Sequence, residues 1–144
     1  MERLSFGEYE MGELVAKLVD CEENWPYEAA ARLVCEHGKW LRKPEFYRFI
    51  TTGGSGHERW AGIDWPLIVA ELEAGTINGS DPDLFVLKMG ASMAAYFPIS
   101  LRDDLRNQSE QASVAMMRAV GYLAGLGPDV DDFCPPDQPG LKQL

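Results

Sequence analysis

Ser55 and His57 stand two apart in "FITTGGSGHERW", residues 49–60, where three glycines and two threonines surround one of the chain's two histidines. Gly53 and Ser55 have GxSxG spacing, the pattern of a nucleophile turn whose serine hydroxyl attacks a carbonyl carbon. His57 occupies the fifth position, where that turn carries glycine. The turn also needs a strand before it, a helix directly after it, and a histidine base from elsewhere in the chain. The preceding residues read instead as a short helix, and His37 lies on a helix stripe. Serine-nucleophile chemistry is not expected.

The same glycines invite a phosphate loop. A Walker-type loop needs GxxxxGK[ST], with lysine on the phosphates and a hydroxyl on magnesium. "GGSGHERW" has no lysine. Free backbone N–H groups ahead of a helix still suit an anion, and His57 and Arg59 could add charge. The simpler reading is a flexible connector whose glycines permit positive φ.

Metal chemistry finds no framework. Cys35 and His37 are two apart on a helix and so face different ways; CxxC, HxxxH and HExxH are absent. His37 near a helix C-terminus suits the helix dipole. Adjacent carboxylates such as Asp103 and Asp104 point about 100° apart on a helix and make no acid–base pair. No catalytic residue, metal or cofactor is assigned, and the chain reads as a non-enzyme.

The remaining candidate is a basic aromatic segment, residues 39–60. It holds five basic residues against two acidic, whereas the rest of the chain has eight basic against 21 acidic. Trp40, Arg42, Lys43, Tyr47, Arg48, His57 and Arg59 are its candidate binding residues. Arginine beside exposed aromatics is the composition of single-strand nucleic-acid platforms and of protein hot spots. The competing reading makes the aromatics core and the cations their solvated outer cover. Overall the net charge is −10, so general affinity for nucleic acid or an anionic membrane is not expected.

These residues need a scaffold. At 144 residues the chain is long enough for one core without staples. No apolar run approaches the ~20 residues that cross a bilayer. "MERLSFGEYE" lacks the basic and apolar regions of a secretory signal. Cys21, Cys35 and Cys134 are odd in number and form no CxxC pair, as expected of reduced thiols in a cytoplasmic protein.

Met11, Leu14, Val15, Leu18 and Val19 give one apolar helix face. A second helix follows Asn24 as N-cap, with Pro26 in its first turn and Gly38 as its stop. "KPEFYRFI" reads as a short third helix. Asp64, Pro66 and Gly75 repeat the second helix's punctuation. Residues 83–97 are apolar nearly all round, the mark of a buried centre. Ser100 opens a short helix, and a last one runs to about Gly125 with Ala112, Ala115, Met116, Ala119 and Leu123 inward. Trp25 and Trp65 are expected in the core. No segment shows period-2 alternation.

The expected fold is therefore all-α, six to seven helices around a buried helix at about 83–97, with an extended acidic tail. Residues 1–127 would form one domain, with an N-terminal half at 8–50, a glycine-rich joint at 51–58 and a C-terminal half at 59–127. Residues 128–144 would be the Pro/Asp-rich tail.

"AARLVCEHGKWLRKPEF", "IDWPLIVAELEAG", "DLFVLKMGASMA" and a turn at Asn107 before an alanine-rich helix carry a resemblance. Over roughly residues 29–127 the chain resembles a group of small all-helical proteins from high-GC Gram-positive bacteria, their phages and mobile elements. That group has no assigned activity, so the resemblance transfers no catalytic residue. It implies a cytoplasmic accessory protein. The glycine-rich insert and the acidic tail depart from the group's pattern.

The expected function is a non-enzymatic protein-interaction module in a regulatory or phage-accessory role. Its partner would be another protein, or a second copy if methionines such as Met89, Met93, Met116 and Met117 are exposed. The alternative is nucleic-acid binding through residues 39–60, which requires its cations to share one exposed face.

Overall fold

The computed structural model of the chain describes residues 2–20, 24–105 and 107–126. The expected acidic tail at 128–144 lies outside the described residues.

The chain is mostly helical but also contains a three-stranded antiparallel sheet, which corrects the all-α expectation. Strands β1 (Glu2–Arg3), β2 (Ile50–Gly53) and β3 (Trp60–Ile63) lie in the order β1-β2-β3. Glu2 pairs with Thr52, Ile50 with Ile63 and Gly53 with Trp60. The glycine-rich stretch thus lies in a β-hairpin: its first residues belong to β2, and the rest form the loop that leads to β3. Thr52 Oγ1 adds a bond to the Trp60 carbonyl at 2.8 Å. Runs of four residues each, "ITTG" and "WAGI", are too short for alternation to stand out.

The helices are α1 (Met11–Val19), α2 (Trp25–His37), α3 (Trp65–Ala74), α4 (Asp81–Ala95), α5 (Leu101–Asp104) and α6 (Glu110–Leu123). "KPEFYRFI" folds as a 3-10 helix over Pro44–Phe49 before entering β2. Helix punctuation follows side-chain chemistry. Asn24, Asp64 and Ser80 each accept a hydrogen bond from a backbone N–H three residues on, and each precedes a proline in the first turn. Gly38 and Gly75 take left-handed conformations at the ends of α2 and α3. Ser109 caps α6, its side chain accepting from the Ala112 N–H.

Helices α2 and α4 share the centre: α2 packs on α1, α4 and α6, and α4 packs on α2, α3 and α6. Ala29, Ala30 and Ala31 are buried and let neighbours approach α2 closely. Helix α4 stops at Ala95, earlier than expected, because Tyr96 turns left-handed (φ 60°) before Pro98.

Two inward assignments change. Trp25 is 45% exposed: it lies on the rim, its indole stacked 4.3 Å from the Tyr122 ring and its Nε1 donating to the Tyr122 carbonyl. Tyr122 in turn takes the inner position expected for Leu123, which faces outward. Trp65 is buried, as expected.

Candidate functional site

The basic aromatic segment runs from the end of α2, through two 3-10 turns, into the hairpin. Trp40 is 2% exposed, and Tyr47 is also buried. Their polar tips are satisfied internally: Trp40 Nε1 donates to the Asp83 carbonyl at 2.9 Å, and Tyr47 Oη to the Leu41 carbonyl at 2.8 Å. Burial pushes the Tyr47 hydroxyl above its ordinary pKa, so it stays protonated. Both aromatics are core.

The cations lie over them. Lys43 Nζ sits 4.3 Å from the Trp40 ring centroid, and the Arg48 guanidinium 4.4 Å from that of Phe49. Arg48 also pairs with Glu71 at 2.5 Å, Arg59 with Glu8 at 3.0 Å, and Lys39 with Asp83 at 3.5 Å. Arg42 and His57 are exposed, one on a 3-10 turn and the other in the hairpin loop. The structure therefore distributes Lys39, Lys43, Arg48 and Arg59 over separate acidic partners and ring faces.

In the hairpin loop, Gly54 and Gly56 have positive φ, 78° and 58°. Glu2, Thr52, Ser55 and Arg59 line a shallow depression beside it, where Glu8 already engages the Arg59 charge. Among the described residues, no group of three or more His, Cys, Asp or Glu side chains could hold a metal ion.

His37 is buried at the end of α2. Its Nε2 lies 3.5 Å from Asp83 Oδ1 on α4, and its Nδ1 has no hydrogen-bond partner among the described residues. Burial is the main cause holding its pKa below the ordinary value; Lys39 and Lys43 push the same way, and Asp83 opposes them. It bridges two central helices as a neutral imidazole.

The most distinctive surface is elsewhere. Helix α6 is apolar on two sides. Its inner side, with Ala112, Ala115, Met116 and Ala119, is buried in the core. Its outer side shows Val114, Met117, Val120 and Leu123 to solvent, and Met117 is 54% exposed. Met117 and Val120 also form one wall of a groove of about 460 Å³, with Leu101, Leu105 and Leu126 around it and Met89 and Met116 at its floor. None of the described residues lining the groove is charged. An apolar helix face is ordinarily covered, and the outer apolar side of α6 has no cover among the described residues.

The sequence reading did not single out Leu101, Leu105, Val120 or Leu126. The signal was present: Val114, Met117 and Val120 repeat every third residue beside the inner stripe. Met89, Met116 and Met117, which line the groove, are among the methionines named as contact candidates.

Among the described residues, no helix is long and apolar enough to cross a membrane. No protein-family model, curated protein or solved structure matches the chain.

Proposed function

We propose that the chain is a non-enzymatic protein-interaction module that docks through the outer face of α6. The observation that carries this reading is the α5–α6 groove, none of whose described lining residues is charged, in a chain of net charge −10. Contiguous apolar surface of this kind marks contact sites on soluble domains. Methionines at its floor and wall adapt their shape to a partner without losing contact area. A regulatory or phage-accessory role in the cytoplasm fits such a module, since it acts by occupying another polypeptide.

The test is a photocrosslinking residue at position 114, in the chain expressed in its native cells. A discrete adduct with another polypeptide is expected, and Val120→Glu should abolish it. The same probe at the exposed Glu73 of α3 should give none. If position 114 yields no adduct, or the adduct survives Val120→Glu, the reading fails.

A further inference from the structure

We propose that Asn78 is a modification site at which the chain deamidates itself, with the Gly79 backbone nitrogen as the attacking group. Asparagine is thermolabile because its side-chain amide is open to attack by the next residue's nitrogen. Asn78 and Gly79 lie in the turn between α3 and α4, outside any helix or strand, and both are exposed. Among the described residues, neither the Asn78 side chain nor the Gly79 N–H makes a hydrogen bond. The amide carbon and the nitrogen that must reach it are both open to water, and no hydrogen bond has to break before they meet.

The chain's other two asparagines lack this arrangement. Asn24 precedes Trp25, and its side chain is held as the cap of α2, accepting from the Tyr27 N–H. Asn107 precedes Gln108. A side chain on the following residue crowds its nitrogen, whereas glycine leaves that nitrogen bare and the backbone free to rotate.

Packing holds glycine at position 79. A β-carbon there would lie 2.8 Å from Trp40 Cη2, at the edge of an indole that is buried and tied by its Nε1 to the Asp83 carbonyl. The core thus excludes a side chain at the one position where a side chain would protect Asn78. The reactive pair follows from how Trp40 is covered.

In the reaction the Gly79 nitrogen loses its proton to hydroxide and bonds to Asn78 Cγ. The bond from Cγ to the amide nitrogen breaks, and that nitrogen takes a proton from water and leaves as ammonia. A five-membered imide remains. Water then opens it at either carbonyl, giving aspartate or isoaspartate, with no oxidation or reduction. Either product makes the formal net charge of −10 one unit more negative. Isoaspartate also lengthens the main chain by one carbon immediately before Gly79, which rests on Trp40, and Ser80, which caps α4.

The experiment is incubation of the purified full chain in mildly alkaline buffer, with peptide mapping by mass spectrometry over time. Asn78 should convert to a mixture of aspartate and isoaspartate, faster as pH rises, while Asn24 and Asn107 stay amides. The native rate should lie within about tenfold of that in the urea-unfolded chain, since no opening has to precede the reaction. In urea, where Trp40 packing no longer matters, Gly79→Ala should slow conversion at Asn78 several-fold. The isoaspartyl fraction, separated by ion exchange, should melt below the Asn78→Asp chain, which carries the charge without the added carbon. Conversion at Asn24 or Asn107 ahead of Asn78 overturns the proposal, as does an Asn78 that converts only in urea or a Gly79→Ala chain that converts there at the wild-type rate. An isoaspartyl fraction that melts with the Asn78→Asp chain overturns the link to Trp40.

Discussion

The Trp65 indole occupies the space that a β-carbon on Gly90 would need. The atoms in the way all belong to the six-membered part of the ring, and both residues are buried where α3 packs on α4. Gly90→Ala should gain about 1 kcal/mol of helix propensity. Overpacking against a fixed ring costs about 1–3 kcal/mol, so the net change should be destabilising. Trp65→Phe removes the obstructing carbons. In that background Gly90→Ala should become neutral or stabilising, and urea titration of the four chains measures the coupling. Equal effects of Gly90→Ala in both backgrounds would show that the ring is not the obstacle.

Tyr96 predicts a gain. It ends α4 at φ 60° with its side chain 96% exposed, so the strained backbone is offset by almost no packing. Tyr96→Gly should stabilise the chain by roughly 0.5–1 kcal/mol, the difference between a left-handed non-glycine residue and glycine's greater unfolded-state entropy. A lower melting temperature in Tyr96→Gly would contradict this.

Within the hairpin loop, neighbouring substitutions should behave differently. A β-carbon on Gly54 would lie 2.5 Å from the Glu58 carbonyl oxygen, which is backbone and cannot move aside cheaply. With φ at +78° as well, Gly54→Ala should cost more than about 2 kcal/mol. Gly56 has open space around it, so Gly56→Ala should cost only the conformational ~1–2 kcal/mol. Ser55→Ala and His57→Ala should stay within about 0.5 kcal/mol of wild type. Denaturant midpoints rank the four.

His37 predicts a pH dependence. Its pKa in the folded chain is below the ordinary 6.5, so the unfolded chain takes up a proton that the folded chain resists. Stability from this residue is full above pH 6.5 and is lost as pH falls from there toward the lowered folded-state value. Asp83, Lys39 and Lys43 are the charged groups facing it. His37→Gln cannot charge, so its denaturant midpoint should fall less than that of wild type through this window. Parallel pH profiles for the two chains would exclude His37 as the source.

Helix punctuation was legible because it is local. Asn24, Asp64, Gly38 and Gly75 act on backbone groups within a few residues, and all four do what their types imply. The sheet was not legible, because the runs of its local pair, β2 and β3, are too short for alternation to show, and β1 pairs with a distant stretch. Glu2 meets Thr52, and no window of sequence contains both. Trp25 was assigned to the core on size, yet its indole N–H needs an acceptor, and the Tyr122 carbonyl supplies one at the rim. The aromatics Trp40 and Tyr47 fitted the core alternative: both are buried, with Lys43 over Trp40 and Arg48 over the adjacent Phe49. The groove needed a third dimension, since Leu101 and Val120 become neighbours only when α5 folds back beside α6.

The bond from Trp25 to Tyr122 joins residues 97 apart. During synthesis at about 5–20 residues per second, α2 leaves the ribosome on the order of ten seconds before α6. Through that interval the flank of α2 that α6 will cover is open to water and to chaperones. A helix at the centre of the finished fold is made well before α6, and it waits through that interval for this neighbour.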